Sequence, residues 1–312
     1  MRIAVIGAGS MGSIYAALLS EAGHEVWAVD PNTQHLEAIR NEGLILYGPS
    51  GEAAAYRRIL TASDPAAIEG TVDLIVLATK SNHVQAAVST LGPIIDSTTT
   101  LIAMQNGLGA GERVEAALPA DAARPRIVLG VAQGFGAAMR APGSVTYAHM
   151  NLRRFGEPFG GESAHISNIA KLWSEAGFRA EALADIRQLI WEKFICNVTL
   201  SGPCTIFGTT VGELQAVPER WHIALSCGLE AYRIGVAQSI DFTFEDAEQH
   251  ITSFAHKVAD AKPSMLQDHE ARRPSEIDVI NGRVAVEASK CGLSSPWNTT
   301  VSAIVRAREA GF

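Results

Sequence analysis

Residues 1–30, MRIAVIGAGSMGSIYAALLSEAGHEVWAVD, constrain the fold more than any other stretch of this chain. Ile3 to Ile6 is a short apolar run, the composition of a strand buried on both faces. It leads straight into Gly7, Ala8, Gly9, Ser10, Met11 and Gly12, which reads G-x-G-x-x-G. A helical apolar period follows through Ile14, Leu18 and Leu19 and stops at Gly23; a second strand, Glu25 to Val29, then ends on Asp30. Gly7 permits a tight turn, Gly9 lets the backbone approach a pyrophosphate, and Gly12 lets the helix pack on the sheet. The N–H groups of the helix N-terminus then face the phosphates. Alone, such a glycine pattern is weak evidence. Between a strand and a helix, with a carboxylate 18 residues past Gly12, it predicts a dinucleotide-binding domain.

Asp30 also bears on which dinucleotide. A carboxylate closing the second strand accepts hydrogen bonds from the ribose hydroxyls and repels a 2′-phosphate. Pro31, Asn32 and Thr33 follow, and no Arg or Lys comes before Arg40, so the local chemistry favours NAD.

The alternation continues. A helix is expected over Thr33–Asn41, and Leu44–Tyr47 and a segment near Tyr56–Leu60 flank the turn Gly48-Pro49-Ser50-Gly51. Buried strands are expected at Asp73–Thr79, Thr100–Met104 and Ile127–Val131, with a helix at His83–Leu91. Extended segments over Gly143–Phe155 and a helix over Ser163–Ala176 complete this half. The pattern predicts an α/β Rossmann-type, doubly wound parallel sheet over residues 1–184. Ligands of such sheets lie beyond the carboxyl ends of the strands, and those ends carry Gly7–Gly12, Asp30, Lys80 and Asn106. Past Asp185 only helical periodicity remains: Asp185–Leu200, Glu219–Ser239, Phe244–Val258, Ser275–Cys291 and Asn298–Ala310. Residues 185–312 are therefore expected to form a second, all-helical domain, with the active site in the cleft between the two.

Composition excludes several function classes. A net charge of −8 and the lack of any Lys/Arg run argue against a nucleic-acid surface. Ile3–Ser20 is uncharged for 18 residues, but its glycines, serines and strand–turn–helix pattern argue against a membrane span or signal peptide. A cytoplasmic protein is expected. Cys196, Cys204, Cys227 and Cys291 form no C-x-x-C pair, and the nine histidines show no ligand spacing, so no metal is expected.

Two constellations in the helical half could do chemistry. Leu189, Lys193 and Asn197 stand at i, i+4 and i+8, on one helix stripe bordered by Ile186, Ile190 and Phe194. A lysine and an asparagine there are costly to bury without partners, although a solvated lysine at the core's edge fits the same pattern. Further on, Ser275 reads as an N-cap and Glu276 as a first-turn acid, which helix electrostatics alone would explain.

Taken together, GAGSMG, Ala78-Thr-Lys80, Gln105-Asn-Gly107, W-x-K-x-x-x-N at Trp191–Asn197, and P-S-M-L-Q-D with E-I-D and N-G over Pro263–Gly282 resemble the ketopantoate reductase family along nearly the whole chain. The resemblance implies nicotinamide-dependent reduction of a 2-keto acid to a 2-hydroxy acid. It implies Lys193 as catalytic general acid, with Glu276 near it and near the nicotinamide ribose. Asn106 would reach cofactor and substrate, and Lys80 the cofactor; Asn197, Ser201 and Ser264 would contact the substrate. The family default is NADP, in tension with Asp30. Two departures bear on substrate: where pantoate enzymes have a second asparagine this chain has Ser201 followed by Gly202, and where they have a later one it has Val211. These favour a different 2-keto acid. The alternatives are an NAD-dependent D-2-hydroxyacid dehydrogenase acting on a more apolar acid, or a non-catalytic NAD(P)-binding sensor. The sensor would not require Lys193 and Glu276. The apolar helical half leaves room for a homodimer.

Overall fold

The computed structural model describes residues 1–133, 135–150 and 152–312; Asn151, inside the extended stretch Gly143–Phe155, lies outside the described residues. The chain divides into two compact units. The first is Met1–Gln105 with Ala110–Ile186, and the second is Asn106–Gly109 with Arg187–Phe312. The second unit therefore begins two residues beyond the boundary read from the sequence, and it also takes in a four-residue segment from the middle of the nucleotide-binding half.

The first unit is built on β1 (Arg2–Ile6), α1 (Ser10–Glu21), β2 (Glu25–Val29), α2 (Thr33–Glu42), β3 (Leu44–Tyr47), β4 (Ala53–Tyr56), β5 (Ile59–Ala62), β6 (Leu74–Leu77), α3 (Val84–Val88) and β7 (Thr100–Ala103). It continues with α4 (Ala110–Ala117), β8 (Arg126–Ala132), β9 (Phe135–Ala141), β10 (Ser144–Met150), β11 (Leu152–Gly156), α5 (Ala164–Glu175) and β12 (Arg179–Ala182). Eight strands form one mostly parallel sheet in the order β12-β11-β8-β7-β6-β1-β2-β5, in which β11 runs antiparallel to β8. The apolar run Ile3–Ile6 is buried because β1 is central, with Ile3 paired to Val26 on one side and to Leu74 on the other. Strand order reverses between β1 and β6, so the Gly7–Gly12 turn opens at the switch point where such sheets bind ligands.

Two local expectations change. The segment near Tyr56–Leu60 is two strands. β4 closes the hairpin with β3 inside a separate sheet of order β4-β3-β10-β9, whereas β5 crosses to the main sheet and pairs in parallel with β2. The turn between β3 and β4 is closed by Gly48 N–H to the Glu52 carbonyl at 2.8 Å. A short strand, β12, also extends the sheet past α5, beyond what the alternating Arg-Ala-Glu-Ala text indicates.

The core of this unit centres on Trp173, fully buried against Phe178, Tyr15 and Phe155 at ring-centroid distances of 4.8, 5.0 and 5.1 Å. Arg153, equally buried, lies with its guanidinium over the Phe178 and Tyr15 rings at 5.3 and 5.5 Å. Burial draws its pKa down and pushes that of Tyr15 up.

The second unit is helical: α6 (Ile186–Phe207), α7 (Val211–Gln215), α8 (Pro218–Ala237), α9 (Ala247–Lys257), α10 (Ser264–Glu270), α11 (Asn281–Lys290) and α12 (Pro296–Glu309). Helix α6 runs well past Leu200 and through Pro203, which has no N–H to give to the preceding turn. The expected helix from Ser275 to Cys291 starts only at Asn281. Ser275 is not an N-cap; its N–H and Oγ both donate to Glu309 Oε1, at 2.9 and 2.6 Å. A single 3-10 turn, Ile277–Val279, joins it to α11.

Candidate active site

At the switch point of the first unit the glycines divide by what surrounds them. Gly7 has φ +91°, and a Cβ there would lie 2.8 Å from the Thr79 nitrogen. A Cβ on Gly12 would lie 1.9 Å from the Gly7 carbonyl oxygen. Gly9, by contrast, opens onto space with nothing within 4 Å. Two glycines are thus required by the chain itself, and the third leaves room for a ligand. No side chain caps the start of α1 and no acid lies in its first turn, which suits an anion at its N-terminus. These residues fit a dinucleotide pyrophosphate. Asp30 sits where β2 ends, its Oδ1 accepting from the Asn32 N–H at 2.9 Å. Arg40 points its guanidinium to Thr61 Oγ1 at 3.0 Å. Lys80 is exposed just after β6, the strand beside β1.

The remaining sequence-flagged residues come together in the second unit. Lys193 Nζ donates to Asn106 Oδ1 at 3.0 Å, and Asn106 Nδ2 donates to Glu276 Oε2 at 3.3 Å. The asparagine amide is therefore oriented from both ends. Its approach depends on Gly107, which has φ +79° and whose Cβ, if present, would lie 2.1 Å from the Val279 carbonyl oxygen. Only glycine lets Asn106 reach the turn bearing Glu276. Just upstream, Gln105 Nε2 donates to the carbonyls of Leu77 and Thr79 at 2.8 and 3.3 Å, fixing the end of β7.

Asn106 also lines a cavity of 240 Å³, with Asn197 and Ser201 from α6 and Ser264 at the start of α10. The helix stripe read from the sequence thus runs on by one turn, through Lys193 and Asn197 to Ser201. Leu200, Val211, Phe254, Val258 and Ile280 supply the apolar wall. Both positions at which the sequence departs from the pantoate pattern, Ser201 and Val211, therefore face the cavity.

What braces this wall was only partly legible. Asn281, fully buried, donates to the Val198 carbonyl on α6 at 2.8 Å and to Asn298 Oδ1 at 3.0 Å. Asn298 donates in turn to Glu230 Oε2 and the Cys227 carbonyl, while Glu230 caps the N-terminus of α12 through the Trp297 and Asn298 N–H groups. The Asn281-Gly282 and Pro296-Trp-Asn298 motifs thus serve to hold α6 from behind. Nothing in the sequence around Glu230 marks it for this part. Glu309 similarly anchors Ser275, the residue before Glu276, and its Oε1 lies 3.0 Å from His269 Nε2.

Cys196 and Cys204 on α6 are buried, and burial pushes their thiols up to about 12, away from the reactive thiolate form. Among the described residues no group of three or more His, Cys, Asp or Glu is placed to hold a metal ion, and no helix is long and apolar enough to cross a membrane.

The chain is similar to known proteins along its whole length. The family model "Ketopantoate reductase PanE/ApbA" matches residues 3–158, and "Ketopantoate reductase PanE/ApbA C terminal" matches residues 185–309. A 2-dehydropantoate 2-reductase of Mesorhizobium japonicum is 30% identical over 321 residues, spanning 98% of this chain and 97% of its own. A PanE/ApbA family ketopantoate reductase from Ralstonia eutropha shares the fold, with a TM-score of 0.89 at 24% identity over 100% of this chain and 99% of its own. D-mandelate dehydrogenase, solved with NADH and anilino(oxo)acetate, gives a TM-score of 0.87 at 25% identity over 100% of this chain and 99% of its own. With both halves matched in order along its length, the chain belongs to the ketopantoate reductase family.

Proposed function

We propose that this protein reduces a 2-keto acid with an apolar side chain to the corresponding 2-hydroxy acid, using NADH and Lys193 as general acid. The observation that carries the reading is the Lys193–Asn106–Glu276 hydrogen-bond chain at the edge of a largely apolar cavity. A bound reduced nicotinamide would supply the hydride to the carbonyl carbon. The chain's own residues do the rest. As charge develops on the keto oxygen, the Lys193 ammonium hydrogen-bonds it and passes it a proton, leaving an amine that solvent reprotonates. Asn106 accepts one Nζ hydrogen and so directs another at the substrate, while Glu276 keeps the Asn106 amide from turning over. Asn197, Ser201 and Ser264 offer donors to the substrate's carboxylate and carbonyl. An oxidoreductase role agrees with the family, and a binding-only protein would have no use for this lysine arrangement.

The apolar wall supports this substrate class. A side-chain hydroxyl pressed against Val211, Val258 and Phe254 would give up water with no partner in exchange, at about 1–3 kcal/mol. That handicap favours an alkyl or aryl 2-keto acid over ketopantoate, and the likeness to D-mandelate dehydrogenase supports it. Asp30 supports NADH as the cofactor. A 2′-phosphate about 4 Å from this carboxylate costs on the order of 1–4 kcal/mol at surface-like dielectric, and Arg40, the next cation in sequence, is directed at Thr61. Lys193→Ala should lower kcat by about two to four orders of magnitude with little change in NADH affinity; near wild-type turnover would refute the assigned acid. With the best keto acid, kcat/KM should favour NADH over NADPH, and Asp30→Ala should narrow that gap by about tenfold; a wild-type preference for NADPH would overturn the Asp30 reading. In a keto-acid panel the wild type should prefer alkyl or aryl substrates, and Val211→Asn should raise relative kcat/KM for ketopantoate about tenfold. A wild type that prefers ketopantoate would reject the apolar assignment.

A further inference from the structure

His35 is 1% exposed near the start of α2, and its backbone N–H and both ring nitrogens are engaged. Its N–H donates to Asn32 Oδ1 at 3.2 Å, and Asn32 in turn donates its own N–H to Asp30. Its ring nitrogen Nδ1 accepts the Gly143 N–H at 2.9 Å. A backbone N–H can only donate, so Nδ1 carries no proton and the neutral ring bears its hydrogen on Nε2. That nitrogen lies 3.2 Å from Ser13 Oγ, whose own hydrogen goes to the Ala8 carbonyl oxygen at 2.7 Å. A directed relay results, running from the Gly143 turn through His35 and Ser13 to the glycine-rich loop.

The end of the relay matters because carbonyl and N–H point opposite ways in a trans peptide. Fixing the Ala8 oxygen against Ser13 turns the Gly9 N–H to the other side. We propose that His35 is a positioning residue for the dinucleotide: in its neutral Nε2–H form, acting through Ser13, it locks the Ala8–Gly9 peptide so that Gly9 offers its N–H to the pyrophosphate. The proposal rests on the dinucleotide reading of Gly7–Gly12 and adds to it a residue that never touches the ligand.

Protonation would break the relay, since an N–H on Nδ1 would face the Gly143 N–H. Burial holds the His35 pKa below the ordinary imidazole value, against the opposing pull of the Asp30 charge and the Ala8 carbonyl. The charged group facing His35 is Asp30 at the end of β2; α1 presents the Ser13 hydroxyl, and the turn between β9 and β10 a backbone N–H. With a lowered pKa, the neutral form persists at neutral pH and is lost only on acidification, so affinity should fall as pH falls.

The test is calorimetric binding of NAD⁺, without keto acid, from about pH 8 to about pH 5. It compares the wild type with Ser13→Ala, His35→Phe and His35→Gln, each checked for folding by circular dichroism. Ser13→Ala and His35→Phe should each raise Kd about tenfold at neutral pH, the scale of one lost oriented hydrogen bond. A glutamine amide can accept from Gly143 and donate to Ser13 but cannot titrate, so His35→Gln should bind like the wild type at neutral pH. It should also abolish the loss of affinity in acid. Folded Ser13→Ala protein with a Kd within about twofold of wild type would overturn the proposal, as would a wild-type acid loss that His35→Gln reproduces. A wild type that binds neither NAD⁺ nor NADP⁺ would instead remove the dinucleotide reading, and this inference with it.

Discussion

A lysine ammonium on a four-carbon stem has no preferred direction in water, and holding it to one costs about 2 kcal/mol of rotamer freedom at most. The helical unit meets that cost with one asparagine. Asn106 takes a hydrogen from Lys193 and gives one to Glu276, so the amide cannot flip without breaking both bonds. Everything near it serves to bring these three residues together. Gly107 permits the close approach, Glu309 pins the chain beside Glu276, and Asn281 with Asn298 and Glu230 fixes α6 behind the lysine.

The first unit solves a related problem with backbone instead of side chains. The anion site proposed for it is made of peptide N–H groups, whose directions follow from the planes of the peptides that carry them. Gly7 and Gly12 shape the turn because any Cβ there would strike the chain itself, and Gly9 leaves the approach open. Ser13 and His35, both buried, brace the same turn from beneath. Both units thus orient a polar group through hydrogen bonds: the partly buried Asn106 and Glu276 for Lys193, and the buried Ser13 and His35 for the glycine-rich turn.

That partition explains what the sequence reveals. Gly7, Gly9, Gly12 and Asp30 are readable because a turn, a close approach and a strand end each demand a residue type at a fixed spacing. Lys193 and Asn197 are readable as a stripe because helical spacing is local, whereas Ser201, one turn on, lies past the helix end expected at Leu200 and joins the stripe only because α6 continues to Phe207. Glu276 is ambiguous on spacing alone, since a first-turn acid suits any helix, and the helix it was expected to open begins instead at Asn281. The cavity wall cannot be read this way: Leu200, Val211, Phe254 and Val258 come from α6, α7, and α9 with the residue that follows it, and only tertiary packing joins them. His35, Glu230 and Arg153 are harder still. Polar residues in ordinary helix and strand text are expected at the surface, yet all three are buried with specific partners.

In the proposed mechanism a single oriented ammonium at position 193 stabilises and protonates the keto oxygen. Chemical rescue tests it most directly: single-turnover reduction by a Lys193→Gly variant, measured with increasing concentrations of a small primary amine such as ethylamine. The expected result is a saturable recovery of rate that tracks the protonated amine and leaves cofactor affinity unchanged. A variant that binds cofactor and keto acid normally, yet recovers no rate with any primary amine, would contradict it.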